Sequence, residues 1–326
     1  MGAILYACIL DGRGGAQVLD PQTLEKDDES LPHPEAMTWY HVDYMAPNAR
    51  DVVARLSGAS YGTVEALFAE NTRPRCDTVA EGMLLNLRGV NFNEGPQEHP
   101  LISTRMLATE RRLITIRRYY MLAFEDLREG LAQGRGPETM GTLVSFIAER
   151  LTARFSDALE RLEDRMDTIE DEDDTGDGVH VAPAELTDIR QDIAYLRRFL
   201  LPQMTALTRL AAAREPWLSE DNRTEIRQDL DVVTRYVEGL EELRERAMII
   251  QDAARHAAAE RSGRTMYLLS LVAGLFLPLG FVTGLLGVNV GGIPGADKPW
   301  AFWALVGGLV GVGVLQWVWF RTRKWI

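Results

Sequence analysis

Thiols are scarce in this 326-residue sequence. The two cysteines, Cys8 and Cys76, lie far apart and in no C-x-x-C pair. That excludes a disulfide-stapled scaffold and a thiolate zinc site, and it suits a reducing compartment. Basic charge is also in deficit: 35 Lys and Arg face 48 Asp and Glu, a net charge of -13. A general nucleic-acid binder needs clustered Lys and Arg for phosphate, so no nucleic-acid partner is expected. No Walker loop, H-E-x-x-H, nucleophile elbow or dinucleotide fingerprint in its proper setting is present, so no enzymatic site or cofactor is expected. The opening MGAILYACILDG has neither the basic start nor the long apolar core of a signal peptide. Tyr6 stands where a myristoylation motif wants Ser or Thr. The most informative absence is of charge itself, which vanishes from Thr265 to Ala296.

Within that stretch, MYLLSLVAGLFLPLGFVTGLLG (266–287) is long enough to cross a hydrocarbon layer of about 30 Å at about 1.5 Å per residue. PWAFWALVGGLVGVGVLQWVWF (299–320) is a second such run. A buried soluble hairpin is the competing reading, but uncharged runs of this length are the transmembrane signature. Pro278 is tolerable in a membrane helix because neighbours can satisfy the carbonyl it frees. Five of the seven tryptophans mark the ends of the second run: Trp300 and Trp303 at one end, Trp317, Trp319 and Trp325 at the other. Such aromatic belts mark the two faces of a bilayer. Arg255, Arg261 and Arg264 precede the first run, Arg321, Arg323 and Lys324 follow the second, and only Lys298 lies between. The positive-inside rule then predicts a multi-pass protein with both termini cytoplasmic, the loop 288–298 outside and a basic tail, 321–326, inside.

The soluble part divides by pattern. Over 1–137, ILYACIL (4–10), TWYHVDY (38–44), MLLNLRGV (83–90), PLISTRML (100–107) and RLITIRR (112–118) read as strands, with helical VVARL and VEALFAE between the second and third. This predicts an α+β domain with a mixed or mostly antiparallel sheet. Residues 138–218 read as two helices, one ending in EDEDD (170–174) and one running from about Pro183 to Arg214, separated by TGDG (175–178). Ser219 is a candidate N-cap for a third helix with no stop before Gly287. Its cytoplasmic stretch, 219–265, carries Leu230, Val233, Val237, Leu240, Ala247 and Ala254 near a seven-residue repeat, which Arg244 interrupts. It reads as a stalk able to pack against copies of itself.

Two spans cannot enclose a watery path, so a pore built from this chain must be oligomeric. On the first span Met266, Leu269, Ala273, Leu277, Gly280, Gly284 and Gly287 follow three-and-four spacing and form one stripe. A small-residue helix-packing face gives the same spacing.

Between the two runs lies GVNVGGIPG (287–295). Gly287-Val288-Asn289 has the form Gly-x-Asn, closes the first of two C-terminal spans, and is followed by the tail RTRKWI. This resembles the CorA family of divalent metal ion transporters, whose hallmark there is Gly-Met-Asn; Val288 replaces the methionine. VGGIPG, which lacks an acidic residue, DGRGG (11–15), NTRPR (71–75) and PW (216–217) look like its zinc-transporting ZntB branch. The resemblance covers nearly the whole chain. It implies a homopentamer in the inner membrane, a funnel-shaped cytoplasmic domain, a first span lining the pore and a second packed outside. Asn289 would then form a ring of amides at the outer mouth, and the stripe from Gly284 to Met266 would line the path.

An amide carbonyl can accept hydrogen bonds from a cation's hydration shell without the grip of a carboxylate. Neither span contains His, Cys, Asp or Glu, so no tetrahedral zinc site is expected there. A largely hydrated ion passing dry constrictions at Leu277, Leu269 and Met266 is the expectation. The five histidines, His33, His41, His99, His180 and His256, all lie outside the spans. Asp252, His256 and Glu260 share a helix face just before the membrane and offer either a transient metal site or a solvated charged face. The run DEDDTGDG fails as a calcium loop, because Thr175 and Ala182 occupy ligand positions. EDEDD is either a lure for cations or a solvated helix end. Magnesium or cobalt/nickel transport is the alternative within the family, and a membrane-anchored enzyme or adaptor the alternative outside it. Proton coupling is open, since no intramembrane carboxylate or histidine stands out.

Overall fold

The computed structural model describes residues 2–70, 73–91, 101–174, 183–287, 295 and 298–323. The chain divides into two units, Met1–Gln251 and Asp252–Ile326.

In the first unit, seven strands form one sheet: β1 (Ile4–Leu10), β2 (Ala16–Val18), β3 (Thr38–Asp43), β4 (Arg75–Val79), β5 (Gly82–Val90), β6 (Leu101–Ala108) and β7 (Arg112–Arg117). Their order is β2-β1-β3-β7-β6-β5-β4. Among the described residues only the β3–β7 pair is parallel, with Tyr40 opposite Ile114; the other pairs are antiparallel. The mixed sheet is as expected. Strands β2 and β4 are additional, and both lie at the sheet edges, where short, polar strands limit pairing with other chains.

Three short helices, α1 (Pro21–Lys26), α2 (Ala49–Ser57) and α3 (Tyr61–Leu67), cover one face. The helices α4 (Leu122–Ala132), α5 (Met140–Ala153), α6 (Ser156–Asp174), α7 (Pro183–Ala212) and the first part of α8 (Glu220–Leu286) cover the other. Successive strand residues point to opposite faces, so adjacent residues enter different cores. Trp39, Leu85 and Met106 pack beneath α4–α8, whereas Tyr40, Leu84 and Leu107 pack beneath α1–α3. The helix expected to run unbroken to EDEDD is interrupted. After α5 the Phe155 N–H bonds to Thr152 O, three residues back, at 3.1 Å, which tightens one turn and sends Phe155 into the core.

One buried polar cluster fixes the centre of the sheet. Trp39 Nε1 donates to Thr115 Oγ1 at 2.9 Å, and His41 Nδ1 lies 2.7 Å from the same oxygen. The Thr115 proton goes to Tyr40 O at 3.2 Å. With that proton committed, His41 Nδ1 must be the donor. Burial, then Arg117 and Arg128, hold the His41 pKa well below 6.5, so the ring is neutral.

The helices are tied to the sheet and to each other by specific contacts. Gln203 on α7 grips β5 as a strand would: its Oε1 accepts from Arg88 N at 2.8 Å and its Nε2 donates to Arg88 O at 3.0 Å. A Cβ at Gly141 would fall 2.1 Å from Asn222 Oδ1, so only glycine lets α5 approach the start of α8. Ser219 Oγ accepts from Asn222 N at 3.2 Å, the cap expected for α8. Further along, Val233, Leu240 and Ala247 are buried, and Arg246 holds Glu170 of α6 through Nε at 2.8 Å and Nη2 at 2.6 Å.

In the second unit, α8 continues to Leu286 and α9 spans Trp300–Thr322. At 67 residues, α8 is roughly 100 Å long.

Candidate transport site

Helices α8 and α9 are each long and apolar enough to cross a membrane. The apolar part of α8 shows its side chains rather than burying them: Met266, Leu269 and Leu277 are 63–70% exposed, and Ala273, Gly280, Gly284 and Gly287 are exposed too. At about 100° per residue the seven stripe residues fall within an arc of about 80°. The half-buried Leu271, Leu275 and Leu279 lie roughly 160° away, on the other side of the helix.

The contact with α9 is built around Pro278. A proline inside a helix lacks the N–H that would bond the carbonyl four residues earlier. That carbonyl belongs to Gly274, and Gln316 Nε2 of α9 donates to it at 3.4 Å. A Cβ at Gly274 would sit 3.4 Å from the Phe320 ring, already close contact. The neighbour expected to compensate the proline is thus present, and Gly274 lies off the stripe. On α9, Trp300 and Trp303 are exposed at one end, and Arg321 lies 5.4 Å from the Trp317 ring at the other, an arrangement suited to an interface.

Gly287 N bonds Thr283 O at 2.9 Å and ends the helix. Val288 and Asn289, the remaining loop residues singled out from the sequence, lie outside the described residues, as do 71 and 72 of NTRPR, TGDG, Lys324 and Trp325. Gly295 adopts φ 83, and its carbonyl accepts from Lys298 N at 3.0 Å as the chain turns into α9.

Asp252, His256 and Glu260 are exposed on one helix face. Asp252 Oδ1 meets Arg255 Nη1 at 3.4 Å. The outer two residues are about 12 Å apart along the axis, so a single ion is within reach of adjacent pairs only. Among the described residues, no three His, Cys, Asp or Glu side chains gather as a metal-holding group. Glu170 of EDEDD is engaged by Arg246, whereas Asp171 is exposed.

The sequence reading missed one group in the first unit. A cavity of about 760 Å³ between α5 and α8 is lined by Ser145, Glu149, Thr152, Glu225 and Asp229. Ser145 Oγ donates to Glu225 Oε2 at 2.6 Å. Asp229 is 7% exposed, and its Oδ2 has no hydrogen-bond partner among the described residues. Burial, followed by the neighbouring Glu149 and Glu225, raises its pKa to about 7. The signal was readable: Asp229 falls between Ile226 and Val233 on the buried face of α8, where an acid interrupts an apolar stripe.

These elements combine a mixed-sheet domain, a long helix and a C-terminal pair of helices apolar enough to cross a membrane. Comparison with known proteins gives the class its name. The model of the family described as "CorA-like Mg2+ transporter protein" matches residues 34–323. The chain is 37% identical over 324 residues to the divalent cation transporter CmaX of Pseudomonas aeruginosa, covering 99% of this chain and 97% of that one. The solved structure of full-length CmaX matches with a TM-score of 0.81 over 99% of this chain and 98% of that one, at 36% identity. The zinc transport protein ZntB of Pectobacterium atrosepticum is 32% identical over 326 residues, 100% of this chain and 96% of that one. The CorA magnesium transporter of Methanocaldococcus jannaschii, at 18% identity, shares the fold with a TM-score of 0.76 over 100% of this chain and 99% of that one. The chain belongs to the CorA-like family and is a divalent cation transporter.

Proposed function

We propose that this protein carries zinc across the inner membrane through a homopentameric pore. The observation that carries the choice of zinc is the end-to-end likeness to a zinc transport protein. The uncharged loop GVNVGGIPG supports it by placing no carboxylate beside Asn289 to strip a harder cation of its water. Both termini and the units 1–137, 138–218 and 219–265 lie on the cytoplasmic side, the short loop 288–298 outside, in keeping with the flanking arginines.

Oligomerisation is required because one chain supplies only two spans. The stripe from Met266 to Gly284 supports a pore-facing role: it is uncovered, and Gly274, the point of contact with α9, lies to its flank. In this reading Leu277, Leu269 and Met266 form the dry constrictions, and Gly287, Val288 and Asn289 form a carboxamide-ringed mouth. Asp252, His256 and Glu260 act as a charged ladder at the inner approach, binding zinc in pairs and weakly. Magnesium transport is the second reading, since the matching family model describes Mg2+ transporters.

Reconstituted flux separates them. Proteoliposomes offered zinc, magnesium and nickel, with and without a pH gradient, should take up zinc in preference. Faster magnesium than zinc uptake would transfer the assignment, and a flux unmoved by the gradient would remove proton coupling.

A further inference from the structure

A second polar cavity, of about 690 Å³, lies between the sheet and α7. Arg88 of β5, Arg105 of β6, Arg118 just after β7, and Arg198 of α7 all line it, with Glu70 the one carboxylate among the lining residues. Four guanidinium groups therefore face one carboxylate. Residues distant in sequence converge here because β5, β6 and β7 are adjacent strands and Gln203 clamps α7 to β5.

Arg105 is the informative member. It is 5% exposed. Its Nη2 donates to Ala69 O at 3.2 Å, its guanidinium lies 4.5 Å from the Tyr44 ring, and its Nη1 has no partner among the described residues. Arg105, Arg118 and Arg198 form no ion pair with any described residue. A buried cation with no ion pair among the described residues is costly. Burial lowers the Arg105 pKa; Tyr44 opposes the shift, and repulsion from Arg118, Arg88 and Arg75 adds to it. Arg118 and Arg198 lie 5.8 Å and 5.6 Å from the Tyr119 and Phe199 rings. Ring contacts hold these side chains in place but supply no counter-charge for four guanidinium groups around one space. Arg88 itself is 3.7 Å from the Phe199 ring and donates through Nη1 to Leu101 O at 2.9 Å, which holds it in place.

We infer that this cavity binds a small, soluble, phosphate-bearing anion, with Arg105 at its base and Arg118 and Arg198 at its mouth. Guanidinium forks match phosphate oxygens in geometry as well as charge. The volume is that of a small-molecule site. Its walls come from both the sheet and α7, so a bound anion would fasten the two together and stabilise the folded protein.

The test uses the full-length protein in lipid-free detergent, titrated with pyrophosphate and with ATP, followed by calorimetry and thermal unfolding. Saturable heat and a rise in melting temperature are expected from at least one of them, with neither effect from sodium chloride at equal ionic strength. The double variant Arg118→Ala/Arg198→Ala, both exposed positions, should fold and bind about tenfold more weakly or worse. Arg105→Lys should weaken binding by a similar factor because it keeps charge and loses the fork. Absence of saturable binding, equal affinity in the double variant, or a shift reproduced by sodium chloride would overturn the site. Tighter binding of a short-chain anionic phospholipid than of pyrophosphate would overturn the assignment to a soluble ligand.

Discussion

Asp229 is an acid built into an apolar seam, and replacing it with asparagine should stabilise the protein in a pH-dependent way. The folded state raises its pKa to about 7, whereas an unfolded aspartate titrates near 3.9. Below about pH 4 the group is protonated in both states and costs nothing. As pH rises from 4 to 7 the unfolded chain ionises first, so folding is increasingly penalised; above 7 the penalty is constant. Three pKa units correspond to about 4 kcal/mol. Asn keeps the shape and removes the charge. Thermal unfolding of the full-length protein should show Asp229→Asn melting about 4 °C or more above the parent at pH 8. The gain should shrink to about a third at pH 5 and disappear near pH 4. A gain of equal size at pH 5 and pH 8 would refute the reasoning. So would a loss at pH 8, which would mean that the carboxylate is ionised and favourably paired.

Three further outcomes follow from the same structure. Thr115→Val removes the shared partner of Trp39 Nε1, His41 Nδ1 and Tyr40 O, so chemical denaturation should show a loss of about 3 kcal/mol. Gln316→Leu should cost about 1 kcal/mol in thermal unfolding, but nothing when Pro278→Ala has already restored a helical partner to Gly274 O; an undiminished cost in that background would disprove the coupling. Cys8 and Cys76 are free and buried, each with its pKa raised to about 12 by burial first of all. A thiol reagent at pH 8 should label neither in the native protein and both after unfolding.

The parts of the molecule that depend on one dimension were legible in advance. Charge disappears after Arg264, which marks the first span. The absence of any stop signal between Ser219 and Gly287 other than Pro278, which a membrane helix tolerates, foretells the length of α8. Alternation exposes β1, β3, β5, β6 and β7, whose inward and outward residues enter different cores. Edge elements were harder. In β4, RCDTV carries two charges and lacks clean alternation, and β2 has only three residues. Helix α1 had a readable start in Asp20-Pro21, and α4 a readable face in Ala123, Phe124, Leu127 and Leu131. What the sequence hides is convergence. Arg88, Arg105, Arg118 and Arg198 become neighbours only through strand order and the Gln203 clamp. The Gln316–Gly274 contact is different in kind: Pro278 announces that a carbonyl needs a donor, but not which residue supplies it.

The most direct test of the transport account is zinc flux through Asn289→Ala in proteoliposomes, measured against the parent protein for both rate and preference over magnesium. The account predicts that losing the amide ring changes both. Parental flux with parental metal preference would contradict it.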